Sequence, residues 1–150
     1  KLLIAAATWS GKTWAVFAPL AERILQESGK GLHLLYLCPT KALVNDLYAR
    51  LKLYGDRLGI RSARRTGDYN EFTGRQPSQV LLTTPESLDI LLGVERHGGL
   101  EGRVRSRLRQ VRAVVVDEVH QFYRTPRGLQ FLALLERLKR ERYWPTCPSS

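Results

Sequence analysis

Short apolar runs alternate along this chain with longer stretches whose apolar residues recur every three or four positions. Leu2-Leu3-Ile4-Ala5 opens the pattern as a strand-like run. Trp14 to Gln26 reads as a helix with Val16, Phe17, Leu20 and Ile24 on one stripe, closed by Gly29. Leu32 to Leu37 has β character and is interrupted by Pro39. Leu43 to Tyr54 is helical in spacing, with Gly55 as its stop. Ile60 to Arg64 predicts a short strand, the polar stretch from Gly67 to Ser78 a loop, and Gln79 to Thr83 another strand. Pro85 marks the start of a helix with Leu88, Leu91 and Leu92 on its inner face. A glycine-rich, mobile connection from Gly93 to Gly102 leads to a buried strand over Arg112 to Val116, and a last helix runs from about Gly128 to Arg142. Strands alternating with helices predict a parallel sheet covered on both faces, with ligands at the carboxyl ends of its strands.

The loop after the first strand carries chemistry. Ala6-Ala7-Thr8-Trp9-Ser10-Gly11-Lys12-Thr13 places Gly-Lys-Thr where a helix starts. Such a turn gathers backbone N–H groups on a polyphosphate, adds the positive end of the helix dipole, and supplies a Lys for the terminal phosphates. The Thr13 hydroxyl can hold magnesium. Ala6 stands where the strict phosphate-loop pattern has its first Gly, so this stretch alone does not settle the matter.

A second element strengthens it. The β-branched run Val114-Val115-Val116 ends in Asp117-Glu118-Val119-His120. Two carboxylates at the carboxyl end of a buried strand have a poor structural rationale, because unpaired buried charge is costly. They have a functional one: Asp117 can hold magnesium through its water shell, and Glu118 can orient and deprotonate an attacking water.

Composition adds a polyanionic partner. The 150 residues carry 24 Lys+Arg against 14 Asp+Glu, a formal charge of +10, and the excess is largely Arg. Part of one Arg cluster is the wet side of an amphipathic helix, since Val104, Leu108 and Val111 recur at helical spacing. No apolar stretch approaches membrane-spanning length, which argues against a membrane partner. Cys38 and Cys147 lack metal-ligand spacing, and a reducing, cytoplasmic setting is the default for such a chain. Length fits one domain, and the absence of Met points to a fragment.

With these landmarks placed, the chain resembles the first RecA-like domain of superfamily 2 DExH-box helicases, closest to the large helicase-related (Lhr-like) group. The ordered matches are the loop ending in Gly11-Lys12-Thr13, then Cys38-Pro39-Thr40-Lys41-Ala42-Leu43 with Asn45-Asp46, and Arg65-Thr66-Gly67-Asp68. Thr83-Thr84-Pro85-Glu86-Ser87-Leu88, Asp117-Glu118-Val119-His120 and Leu135-Glu136-Arg137-Leu138 follow. The resemblance implies a three-layer α/β fold with a mostly parallel central sheet, and a nucleotide site for ATP and Mg²⁺. Thr8, Trp9, Ser10, Gly11, Lys12, Thr13, Asp117 and Glu118 would line that site, with Thr13 and Asp117 on the metal and Glu118 and Lys12 catalytic. It places Pro39, Thr40, Lys41, Thr66, Gly67, Thr84, Pro85 and Glu86 along a nucleic-acid strand, and gives His120 a coupling role. Taken singly, these threonines and prolines are equally good turn and cap residues.

The resemblance further implies a helicase or translocase acting on DNA, with a second RecA-like domain of the same chain as partner. That domain and an adenine-recognition segment are not among these residues, so the chain reads as a fragment truncated at both ends. Backbone contacts leave RNA open as substrate. A Cas3-like defence motor, and a non-catalytic module with a nucleotide site impaired by Trp9, remain as alternatives. Trp9 replaces a small residue in the loop and should weaken ATP binding, because Gly there allows close backbone approach.

Overall fold

Among the described residues, continuous apolar runs and amphipathic stripes fold into four parallel strands between two helical layers. The structure is a computed structural model that describes residues 11–27, 31–73, 75–93, 100–122 and 125–140. The expected strand at Leu2–Ala5, loop residues Thr8, Trp9 and Ser10, Gly29, the middle of the glycine-rich connection and the tail from Trp144 lie outside the described residues.

The strands are β1 (Leu34–Leu37), β2 (Ser62–Arg65), β3 (Val80–Thr83) and β4 (Ala113–Val116), in the order β2-β3-β1-β4. The helices are α1 (Lys12–Gln26), α2 (Lys41–Leu58), α3 (Pro85–Gly93), α4 (Leu100–Leu108) and α5 (Pro126–Arg140), with a 3₁₀ turn over Val119–Phe122. Every side chain of β1 and β3 is buried, which is why their sequences are apolar without alternation. Alternate residues serve opposite faces. Leu34, Tyr36, Val80 and Leu82 pack against Phe17, Ala21 and Ile24 of α1 and Val44, Leu47 and Leu51 of α2. Leu35, Leu37 and Leu81 face the layer of α3, α4 and α5, where Leu88, Leu92, Leu108, Phe131 and Leu138 are buried.

Three expectations are corrected. α2 does not stop at Gly55 but continues for another turn to Gly59, which has φ 76°. The Gly59 N–H then donates to Asp56 C=O at 3.3 Å and Ile60 N–H to Gly55 C=O at 2.8 Å, a double bond pattern that ends helices. Gly55 is inside the helix because the returning chain lies against it: a Cβ there would stand 2.8 Å from the Ile60 carbonyl oxygen. Second, α4 takes up the end of the glycine-rich connection, with Val104 and Leu108 as its buried stripe. Third, β4 is half-buried rather than buried, because among the described residues it pairs on one side only, with β1.

The register fixes where the site lies. Leu37 is level with Thr83 and with Val116, and Arg65 is level with Thr83, so all four strands end along one edge. From that edge β1 leads into α2 on one face, whereas its neighbours β3 and β4 lead to α3 and α5 on the other. Chain departures in opposite directions open a crevice on each side of the β1 end, and such crevices receive ligands in parallel sheets.

Candidate nucleotide site and nucleic-acid edge

α1 begins at one crevice with its N-terminus prepared for an anion. Gly11 precedes it at φ 78°, a left-handed conformation that suits glycine, and a Cβ there would meet nothing within 4 Å. Conformation, not space, therefore selects glycine. Intrahelical bonding starts with the Trp14 N–H donating to Gly11 C=O at 3.0 Å, so the amides of Lys12 and Thr13 open the helix. The first turn contains no acidic residue, which leaves the positive end of the dipole uncompensated by a local carboxylate. The expected Thr8, Trp9 and Ser10 contacts lie outside the described residues.

Tyr36 links this helix start to the acidic pair. Its buried phenol responds to the Thr13 side chain and to the charge of Asp117. Burial pushes the phenol well above its usual range, and Asp117 adds to the rise. The neighbouring Cys38 thiol is pushed up by the same two causes, burial first and Asp117 second. Thr13 and Asp117 thus both act on the Tyr36 side chain of β1 although they are far apart in sequence.

Asp117 extends the β1–β4 pairing, its N–H donating to Leu37 C=O at 2.8 Å. Its Oδ1 accepts from the Glu118 N–H at 2.9 Å. Glu118 has φ 47°, and among the described residues it is the one non-glycine with positive φ. A left-handed Glu is strained, and strain of this kind concentrates at functional sites. The Glu118 side chain is only 14% exposed, and its Oε2 lies 3.3 Å from His120 Nδ1 on the largely exposed imidazole. His120 is held by the 3₁₀ turn, whose first bond runs from Gln121 N–H to Glu118 C=O at 2.9 Å.

The second crevice and its neighbours gather the remaining expected residues. Thr40 caps α2, accepting from Leu43 N–H at 3.3 Å. Lys41 Nζ lies 3.1 Å from Asp68 Oδ1, and Gly67 makes room for it: a Cβ at Gly67 would stand 2.9 Å from that nitrogen. The buried Thr66 hydroxyl accepts from the N–H groups of Asp68 and Tyr69 at 3.3 and 3.2 Å. The Thr84 hydroxyl accepts from Ser87 N–H at 3.3 Å, capping α3, where Pro85 takes the first position. Pro39, Thr40, Lys41, Thr66, Gly67, Thr84, Pro85 and Glu86 therefore share the edge, and their threonine hydroxyls perform local turn chemistry there.

Arg127 was not legible from the motifs. Its Nε donates to Glu86 Oε1 at 2.9 Å, its Nη2 bonds the same oxygen, and Nη2 also donates to Pro39 C=O at 2.9 Å. Burial alone would raise the Glu86 carboxyl. Its own backbone N–H, Arg127 and Thr84 outweigh that and hold it below the usual range. One sequence signal could have found Arg127: a cation in the first turn of a helix opposes the dipole and calls for an acidic partner. Arg64 is a second unforeseen residue. Its guanidinium lies 4.7 Å from the Tyr48 ring centroid and 3.5 Å from that of Tyr69, and bonds Glu71 and Asn45.

Among the described residues no group of three or more His, Cys, Asp or Glu converges as a metal cluster, and no helix is long and apolar enough to cross a membrane.

The chain is similar to known helicases. The chain is 32% identical to the ATP-dependent helicase Lhr-Core of Methanothermobacter thermautotrophicus over 92% of its length, covering 18% of that protein. It is 35% identical to the ATP-dependent DNA helicase Hel308 of Pyrococcus abyssi over 87% of its length, covering 17% of that protein. The crystal structure of the DUF1998 helicase MrfA bound to DNA and AMPPNP superposes with a TM-score of 0.77 at 28% identity, over 95% of this chain and 20% of that one. The chain thus spans about a fifth of these relatives. The DEAD/DEAH box helicase family model matches residues 1–148, and the chain belongs to that family.

Proposed function

We propose that this chain is the ATP-binding half of an ATP-dependent DNA helicase or translocase, with a second RecA-like domain of the same protein as its partner. The observation that carries the reading is an α1 N-terminus free of first-turn acids behind the left-handed Gly11, with Asp117 following the β4 end on the edge of the sheet. A nucleotide polyphosphate fits such a place, because the helix start offers amides and the positive end of its dipole. Lys12 opens the helix at the position from which this family's lysine reaches the terminal phosphates. Thr8, Trp9, Ser10 and Gly11 are assigned to the same loop.

The residues also fit magnesium, a hard cation that takes few protein oxygens and keeps several waters. Thr13 and Asp117 would hold it, and it supplies charge neutralisation on the phosphates. Glu118 orients the attacking water and takes its proton on the carboxylate. His120, 3.3 Å away, fixes where that carboxylate points. The left-handed backbone at Glu118 turns the chain away from the strand direction directly after Asp117.

The strand lies along Pro39, Thr40, Lys41, Thr66, Gly67, Thr84, Pro85 and Glu86, held by backbone amides and by Lys41 without reading base sequence. DNA is favoured because Hel308 is named a DNA helicase and MrfA was solved on DNA. ATP binding closes the two domains on the strand and hydrolysis reopens them. The working place of such a protein is the cytoplasm, with its nucleic acid. In the full-length protein, Glu118→Gln should keep nucleotide binding and lower hydrolysis by about 10²-fold or more. Hydrolysis at the unmodified rate in that variant would contradict the assignment.

A further inference from the structure

One side chain ties the start of α5, the helix that follows the acidic pair, to the strand edge. The chain leaves Glu118 through the 3₁₀ turn Val119–Phe122 and enters α5 at Pro126. That junction is tight. The Thr125 hydroxyl donates to Phe122 C=O at 3.3 Å, and Gly128 N–H donates to Thr125 C=O at 2.9 Å. A Cβ on Gly128 would stand 1.9 Å from the Phe122 carbonyl oxygen, so only glycine allows this approach. The Phe122 and Phe131 rings stack with centroids 4.3 Å apart. The turn behind Glu118 and the first turns of α5 are therefore packed directly against each other.

Arg127 projects from that junction to the strand edge. It pairs with Glu86 in the first turn of α3 and donates to the carbonyl of Pro39, in the loop between β1 and α2. These partners are 41 and 88 residues away in sequence. The fork of the guanidinium spans both at once, which a lysine ammonium cannot reproduce with the same geometry.

We propose that Arg127 is the positioning residue that couples the acidic pair to the nucleic-acid strand. The inference rests on the proposed function and deepens it. A shift of the Asp117–Glu118 turn between nucleotide states carries the α5 start with it, and Arg127 passes the shift to Pro39 and Glu86. By reciprocity, a strand seated on Pro39 and Glu86 biases the turn that holds Glu118.

The test uses the full-length protein, with single-stranded oligonucleotide and a non-hydrolysable ATP analogue as probes. Wild type should hydrolyse ATP faster with the oligonucleotide and should change its oligonucleotide affinity when the analogue is added. Failure of both in wild type would sink the proposed function itself. Arg127→Ala should keep hydrolysis without oligonucleotide and keep oligonucleotide binding without nucleotide. Stimulation, and the effect of the analogue on affinity, should each fall about tenfold, within the usual range for coupled sites. Arg127→Lys should be intermediate and guards against misfolding of the Ala variant. In a double-mutant cycle the losses in Arg127→Ala and Glu86→Ala should overlap instead of adding, because the two act as one unit. Full stimulation in Arg127→Ala and Arg127→Lys would overturn the inference, as would additive losses. Loss of oligonucleotide binding in the absence of nucleotide would also overturn it, since Arg127 would then be a direct contact.

Discussion

His120 Nδ1 lies 3.3 Å from Glu118 Oε2, with the imidazole 73% exposed and the carboxylate 14% exposed. The exposed partner is thus free of packing constraints, and its one visible task is to hold the half-buried carboxylate. His120→Ala should lower kcat for ATP by about tenfold to a hundredfold, the scale expected when a catalytic group loses its alignment. KM should stay nearly constant, because the helix N-terminus that receives the phosphates is untouched. Steady-state kinetics of the full-length protein checks this, and an unchanged kcat would refute it.

The left-handed backbone of Glu118 makes a second prediction, on stability. A side chain at φ 47° is strained by about 1–2 kcal/mol, and glycine is not. Glu118→Gly should therefore be more stable than Glu118→Ala by about 1 kcal/mol, while both lose hydrolysis. Urea denaturation of the two variants compares them directly. Equal stability would show that the loop relaxes to an ordinary conformation when the carboxylate is removed.

Tyr48 gives a pH prediction. Burial raises its phenol, and a hydrogen bond with Glu71 and the Glu71 charge add to this, pushing it up to about 12. An acid whose folded value lies above its unfolded value stabilises the fold below the unfolded value, and that contribution is lost as pH rises through the folded one. The window thus opens near the ordinary tyrosine value of about 10 and closes near about 12. Tyr48→Phe should flatten the loss of stability across that window. A wild-type slope identical to that of the variant would contradict it.

Much of the fold is legible in the sequence because its elements obey one period each. β1 and β3 are apolar at every position, and α1, α2 and α5 repeat their buried residues every three or four. The parallel edge follows from alternation alone, and with it the shared location of the motif residues. Boundaries failed where tertiary contact overrides a local signal. Gly55 looks like a stop, yet its missing Cβ serves the Ile60 carbonyl and the helix runs on to Gly59. α5 starts at Pro126 and not near Gly128, because proline at the first helical position lacks only an N–H that would be unpaired there. The ties made by Arg127 and Arg64 depend on partners that only folding brings near, so no spacing rule could reveal them.

The nucleotide site is the central claim, and its most direct test is a crystal structure of the full-length protein with a non-hydrolysable ATP analogue and Mn²⁺ in place of Mg²⁺. Anomalous scattering would locate the manganese. The account predicts the polyphosphate on the amides at the start of α1 and the metal between Thr13 and Asp117, with Glu118 facing the terminal phosphate. A nucleotide bound elsewhere on the sheet, or a metal remote from both Thr13 and Asp117, would contradict it.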